Sequence, residues 1–299
     1  GMTTTDDLMM STFVLLEPRE VAESYFVRLE PVRDQFIHGS CWSFATVGSF
    51  ESALAVQIFG MNGNVDNTFD YSERWGTYHN IDWDIYSFSP DSYVQDKNSL
   101  EGGNSYFAMY NLIRYGMMEE QYAPYSEVYL DPREEVPLPS SAYTAPLLKS
   151  SRTVMILPAD AAYELGYTYE EYLNAIKTAL LDYGSLAVSF SVPASFDYYS
   201  KGIFSPIEGD YSTGGHAVTL VGWASATDLD DVILAGKTNP EATPILAEEI
   251  ESYTYVDPTQ SGSPVFTTTT FWIIKNSWAY DWGDGGYFVI PAISEEQYE

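Results

Sequence analysis

The sequence predicts an α+β chain, helical through its first half and strand-rich through its second, and three observations carry that expectation. Apolar residues recur from Cys41 through Trp42, Ala45, Phe50, Leu54 and Ile58 close to a helical period. Tyr172, Ile176, Ala179 and Leu180 repeat that spacing behind Thr168, a good N-cap residue. Runs rich in β-branched and aromatic residues instead mark strands at Leu186–Val192, Gly214–Trp223 and Phe271–Trp278. A chain of 299 residues with 45% hydrophobic content can bury a full core, as one large domain or as two lobes sharing a cleft.

In chain order, residues 1–12 read as a loose polar tail. Residues 13–36 form an arm with short apolar runs, and 37–135 a helical lobe. The Cys41 helix leads into a turn-rich stretch at Met61–Asn67 and an aromatic, acidic loop from Tyr78 to Val94. Gly102–Tyr115 reads as a second helix with Tyr106, Met109, Tyr110 and Ile113 on one face. Pro124–Pro158 is proline-broken and aperiodic, a crossing segment. Residues 136–299 carry the Thr168–Tyr183 helix and the strand series. There is no internal repeat.

The net charge of −30 is a large field of one sign that disfavours nucleic acid and anionic lipid. The acids are scattered along the chain, which reads as a solvated surface. No run approaches the roughly 18 apolar residues of a membrane helix, so no stable membrane insertion is expected. The start lacks a basic region followed by an apolar stretch; Gly1 ahead of Met2 reads as a cloning remnant, with any targeting segment removed. A single cysteine excludes an intramolecular disulfide, which fits a reducing cytosol, or an exported protein that does without one. Twenty-five tyrosines and only 13 basic residues favour export, extracellular or periplasmic. Three histidines and one cysteine offer no metal-ligand spacing, and no cofactor motif is present.

That one cysteine, Cys41, follows the turn signal Gly39-Ser40 and opens the first helix. Spare N–H groups and the positive end of the helix dipole favour thiolate at such a position. On this stretch alone a small buried hydrophobe is an equally good reading. A nucleophilic thiolate requires a base, and the base an orienting partner. His216 heads the apolar run that ends at Trp223, and Asn276 ends the run Phe271–Lys275. Asn276 is expected to hold one imidazole nitrogen while the other faces Cys41.

These segments resemble the active-site blocks of the papain-like cysteine peptidases. The cysteine block of that family matches at Gln35, Gly39, Ser40, Cys41 and Trp42, and the histidine block from His216 to Trp223. The asparagine block matches at Lys275–Trp278, Trp282-Gly283 and Gly286-Tyr287. Fainter echoes stand at Tyr71-Ser72-Glu73, Gly102-Gly103, Tyr115-Gly116 and Tyr122–Tyr125. The resemblance implies a two-lobe fold, a helical lobe packed on a β-barrel-like lobe with the arm on the β lobe and the cleft between them. It implies hydrolysis of peptide or protein substrates through an acyl-enzyme: Cys41 as nucleophile, His216 as base and acid, Asn276 as orienter, and Gln35 as oxyanion-hole donor. Gly39, Gly102, Gly103 and Trp278 are the implied substrate-side residues; Gly102 and Gly103 read equally well as plain turn formers. A transacylase or amidase would use the same groups, and a catalytically silent peptide-binding module would keep the cleft alone.

The departures are specific. His216 and Asn276 lie 175 and 235 residues after Cys41, farther than in typical members. Much of the excess falls within about 225–270, where Asp228–Val265 is either a surface hairpin extension, the favoured reading, or a lid. His38 stands where many relatives carry a disulfide cysteine and is read as an exposed turn residue. Phe36 replaces the small residue that commonly follows the glutamine. The terminal strands that close one side-chain pocket in relatives have no counterpart after Tyr287, so substrate side-chain preference does not carry over. Oligomeric state is not legible.

Overall fold

The computed structural model describes residues 11–13, 21–26, 31–60, 69–79, 100, 102–128, 137–207, 209–232, 245–246, 249–257 and 262–299. The expected turn at 61–67 and nearly all of the loop at 78–94 lie outside them, as do residues 1–10 of the tail and parts of the insertion. In chain order the elements are β1 (Ser11–Phe13), β2 (Ser24–Phe26), α1 (Cys41–Phe59), α2 (Glu73–Tyr78) and α3 (Ser105–Arg114). They continue with β3 (Thr153–Met155), α4 (Ala159–Glu164), α5 (Tyr169–Tyr183), β4 (Leu186–Pro193) and β5 (Ser212–Ser225). The chain then forms β6 (Tyr253–Val256), β7 (Val265–Thr268), β8 (Thr270–Lys275), β9 (Tyr287–Pro291) and α6 (Glu295–Tyr298). Helices before strands, packed on an antiparallel sheet, make the α+β class expected. The tail is not wholly loose: Ser11 and Thr12 belong to β1, which pairs in parallel with β3.

The largest sheet is five-stranded and centred on β5. One edge of β5 is covered by β4 over residues 212–220 and then by β2 over 222–224; the other carries β8, which in turn carries β9. All these pairings are antiparallel. Along β8 and β9 alternate residues enter opposite cores: Phe271, Ile273, Tyr287 and Val289 on one face, Ile274 and Phe288 on the other. A sheet buried on both faces requires unbroken apolar runs, which is why the histidine and asparagine segments show no polar alternation. The bulge between Leu220 and Gly222 lets β5 shift its register against β8.

The first turns of α1 are enclosed on every side, with Trp42 through Gly48 all buried. Small residues permit that enclosure. A methyl at Gly48 would stand 3.1 Å from Thr219 Oγ1 on β5, and one at Gly76 of α2 would overlap Ser43 Oγ. In α3 the buried residues are Ala108, Asn111 and Leu112, while Tyr106 is exposed. The shared face of Tyr106, Met109, Tyr110 and Ile113 is thus only partly buried, because the short residues fit more closely against α1 and tyrosines tolerate a wet rim. Thr168 caps α5 in a reciprocal capping box with Glu171. The described parts of the insertion include the β6–β7 hairpin, tied to the C-terminal segment where the Ser294 N–H donates to Tyr255 Oη at 3.1 Å.

Gly222 sits where β2 crosses β5, and a Cβ there would lie 2.2 Å from the carbonyl oxygen of Tyr25. Neither backbone can yield without losing ladder bonds. Gly222→Ala is therefore expected to cost about 1–3 kcal/mol, read as a lowered urea midpoint; an unchanged midpoint would show that β2 is not held against β5.

Candidate active site

Ser40 precedes α1 but leaves its cap position unfilled, because its hydroxyl bonds Tyr125 Oη at 2.6 Å. The same phenol donates to the Gln35 carbonyl at 3.0 Å, so one tyrosine ties the Gln35 turn to the helix start. The N–H groups of Cys41 and Trp42 are left facing the Cys41 sulfur. Across the interface the Ala217 N–H on β5 donates to Cys41 Sγ at 3.4 Å. The residue adjoining His216 therefore touches the thiol.

His216 Nε2 lies 2.7 Å from Asn276 Oδ1, both side chains being buried. β5 and β8 are paired neighbours, with Thr219 opposite Lys275, and this register brings the two polar ends together. The Ser277 N–H also donates to Asn276 Oδ1, at 2.8 Å. A backbone N–H can only donate, so this contact fixes which end of the amide faces the imidazole. Nε2 is then the protonated nitrogen and Nδ1 the free base. The Trp278 ring lies over the imidazole with centroids 4.9 Å apart, and Phe190 closes another side at 6.0 Å.

Gln35 is buried and held at both ends of its side chain. Its Nε2 donates to the His38 carbonyl at 2.8 Å, its Oε1 accepts from Ser277 Oγ at 2.7 Å, and its backbone N–H donates to the Ser277 carbonyl at 2.8 Å. One amide hydrogen remains. His38 is half-buried and not an exposed turn residue; its Nε2 meets the Val128 carbonyl at 2.7 Å. Gly39 and Gly102 are joined by an N–H···O bond of 2.8 Å from Gly102 to Gly39. Gly103 is needed for packing, since a Cβ there would lie 2.3 Å from the Trp42 ring. The sequence reading missed Tyr125 and Ser277 as the clamps on Gln35, although both sit within motifs it had quoted.

The titration of the thiol departs from expectation. Burial pushes the Cys41 thiol up, outweighing the three N–H groups that pull it down. Burial likewise pushes the His216 imidazole down, against the favourable bond to Asn276. The helix start favours thiolate, but taking a lone charge out of water costs more than those dipoles return. A thiolate and an imidazolium formed together add no net charge, so pairing is what makes both ions accessible. His216→Ala should leave the thiol alkylated by iodoacetamide only as pH rises past the ordinary thiol value of about 8.5. The unaltered protein should react well below that. Identical profiles would refute the pairing.

Behind this site lies a second buried group of charges that the sequence reading did not single out. Arg33 bonds Asp70 at 2.6 Å and stands 4.0 Å from Glu73, while Glu51 Oε1 accepts the Tyr71 N–H at 2.8 Å. Burial pushes Glu51 up to about 8, with Glu73 adding to the push, and Glu120 up to about 9. Arg33 stays charged because Glu73, Glu51 and Asp70 outweigh its burial. Such carboxyls hold a proton in the folded protein that the unfolded chain has released, so stability is full below the ordinary carboxyl pKa and is lost as pH rises through the folded value. The urea midpoint is expected to fall between about pH 5 and pH 9, and to fall less in Glu51→Gln. A flat profile would contradict the buried protons.

The model of the family described as papain family cysteine protease matches residues 91–298, a stretch that contains His216 and Asn276 and leaves out Gln35 and Cys41. A cathepsin B-like cysteine proteinase 5 of Caenorhabditis elegans is 25% identical over 291 residues, 88% of this chain and 66% of the relative. A cathepsin B-like CP2 of Giardia intestinalis is 32% identical over 124 residues, 40% of this chain and 28% of the relative. The chain thus spans from 28% to 66% of the length of these curated relatives. Among solved structures, a digestive procathepsin L 3 of Tenebrio molitor superposes with a TM-score of 0.57 at 22% identity, over 93% of this chain and 67% of that one. The proCathepsin B S9 of Trypanosoma congolense gives 0.56 at 16%, over 99% of this chain and 78% of that one. These likenesses show a shared two-lobe α+β fold. The chain belongs to the papain family of cysteine proteases.

Proposed function

We propose that the protein is a cysteine peptidase that hydrolyses peptide bonds in peptide or protein substrates through an acyl-enzyme intermediate. The observation that supports this most is the chain of contacts from Asn276 Oδ1 to His216 Nε2, and from the residue after His216 to the Cys41 sulfur, at 2.7 and 3.4 Å. In this reading the Cys41 proton passes to His216 Nδ1 and the thiolate attacks the substrate carbonyl carbon. The developing oxyanion is met by the remaining Gln35 amide hydrogen and the Cys41 N–H. His216 then gives its proton to the leaving amine, takes one from water, and the hydroxide releases the acyl group and restores the thiol. Asn276 keeps the ring in its productive tautomer throughout, and Trp278 shields that bond from water. Gly39, Gly102 and Gly103 form the substrate edge of the helical lobe.

The same proposal divides the chain into an arm at 13–36, a helical lobe at 37–135 and a β lobe at 136–299. It is supported by the helices α1–α3 and the strands β4–β9 falling on either side of the middle of the chain. Export is the favoured setting, on the composition alone. No described helix is long and apolar enough to cross a membrane.

A mixed peptide library incubated with the protein and read by mass spectrometry tests the assignment. New termini should appear, be absent with Cys41→Ala, and form on the order of 100-fold more slowly with Gln35→Ala, the usual effect of losing one oxyanion donor. Peptides joined to added amines without new carboxyl termini would make the protein a transacylase. No change in the library would leave it a binding module.

A further inference from the structure

The Asn276 amide has one end fully engaged and the other end without a partner. Its Oδ1 accepts from both His216 and Ser277, whereas Nδ2 is buried and makes no hydrogen bond among the described residues. The residue is only 2% exposed, so solvent does not reach that nitrogen. Leaving a buried amide N–H₂ unbonded costs about 1–3 kcal/mol, and such groups are ordinarily satisfied by protein or by ordered water.

Asn276 lines a small pocket of about 10 Å³ between α1, α2, β5 and β8. Its polar walls include Arg33, Glu51, Glu73, Thr219 and Lys275. That volume fits about one water, and a water needs two to four polar partners, which these walls supply. The acceptors among them are of the kind the amide requires: carboxyl oxygens from Glu51 on α1 and Glu73 on α2, which line the pocket together with Asn276 and Lys275. No wall residue is positioned to replace the water directly, because Asn276 Nδ2 has no side chain within hydrogen-bond reach.

We propose that this cavity is a binding site for one ordered water, which accepts from Asn276 Nδ2 and donates to a carboxyl oxygen of the Glu51–Glu73 pair, making those acids positioning residues for His216. The inference rests on the peptidase reading only for its catalytic consequence. The water bridges the lobes and gives the amide a donor-side anchor that matches its acceptor-side anchor on Ser277. An amide held at both ends cannot rock, and the imidazole bonded to it keeps the orientation in which Nδ1 faces the sulfur. Glu51, on α1, thereby acts on a ring that it does not touch.

A crystal structure near atomic resolution should show one water at about 2.7–3.2 Å from Asn276 Nδ2; a dry cavity would overturn the proposal whether or not the protein proves to be a peptidase. Glu51→Met, which keeps the side chain's length and removes both acceptor oxygens, should lower kcat/KM on the order of fivefold, equivalent to one ordinary hydrogen bond, and should add no further loss in an Asn276→Ala background. Equal losses in both backgrounds would mean that Glu51 acts through the fold and not through the amide. If that variant does not fold, the crystal structure of the unaltered protein still decides, since a dry cavity alone overturns the proposal. A water present in a protein without peptidase activity would retain the site and remove its catalytic role.

Discussion

The contact on which the site depends is the seating of the first turns of α1 against β5. It is made by small groups: Ala45 beside Ala217, Gly48 under Thr219, and the Ala217 N–H on the Cys41 sulfur. Each lets a helix axis and a strand approach more closely than larger side chains would allow, and the sulfur falls beside the histidine strand as a result. Helix-on-sheet packing of this kind is stiff, because shifting it by even one methylene opens voids or forces overlap. The fold therefore sets the position of the Cys41 sulfur mainly through the packing of its neighbours.

The same closeness creates the electrostatic difficulty that the site resolves. Burial raises the Cys41 thiol and lowers the His216 imidazole, so neither group is readily charged alone. A lone thiolate here would be stabilised by three N–H groups and opposed by the loss of water around it, and the second effect is larger. Proton transfer from thiol to imidazole, as in the proposed mechanism, would avoid the problem because the pair remains neutral as a whole. Asn276 contributes by accepting from Nε2, which strengthens as the ring gains charge. An arrangement that makes the resting groups reluctant to ionise separately is thus compatible with reactivity, provided that the two remain adjacent.

The sequence disclosed the elements in which side-chain type and chemistry coincide. Cys41, His216, Asn276 and Gln35 each stand beside glycine or aromatic residues in short motifs, and the strands carrying two of them are unbroken apolar runs because both faces of the sheet are buried. What stayed hidden depends on contacts between residues far apart in the chain. Ser277 looks like any small residue until its hydroxyl is seen on Gln35, and Glu51 looks like an ordinary helix glutamate until Arg33 and Lys275 close over it. The one available hint was that Glu51 is the lone charged residue of α1. The buried face of α3 stayed hidden for a related reason: helical period identifies which residues align, but not whether tyrosines or alanines face the neighbouring helix.

Phe36 puts a bulky side chain directly after Gln35, and the backbone shows how it is accommodated. Phe36 adopts φ 55, a left-handed conformation that glycine enters freely and that costs other residues on the order of 1–2 kcal/mol. Its N–H turns back to Asp34 Oδ1 at 2.7 Å, and the ring projects outward, 43% exposed. Ala279 is left-handed too, at φ 65, and its N–H bonds the Arg33 carbonyl at 3.1 Å. Between these two strained residues, the Arg33–Gln35 segment runs antiparallel to Ser277–Ala279, with Asp34 bridged to Trp278 and the Gln35 N–H on the Ser277 carbonyl. Strain at both ends of so short a ladder persists only where the surrounding bonds over-determine the geometry. The ladder carries Gln35 on one strand and follows directly from Asn276 on the other, so the backbone that accommodates Phe36 is also the backbone that holds Gln35 in register with Asn276, the residue bonded to His216.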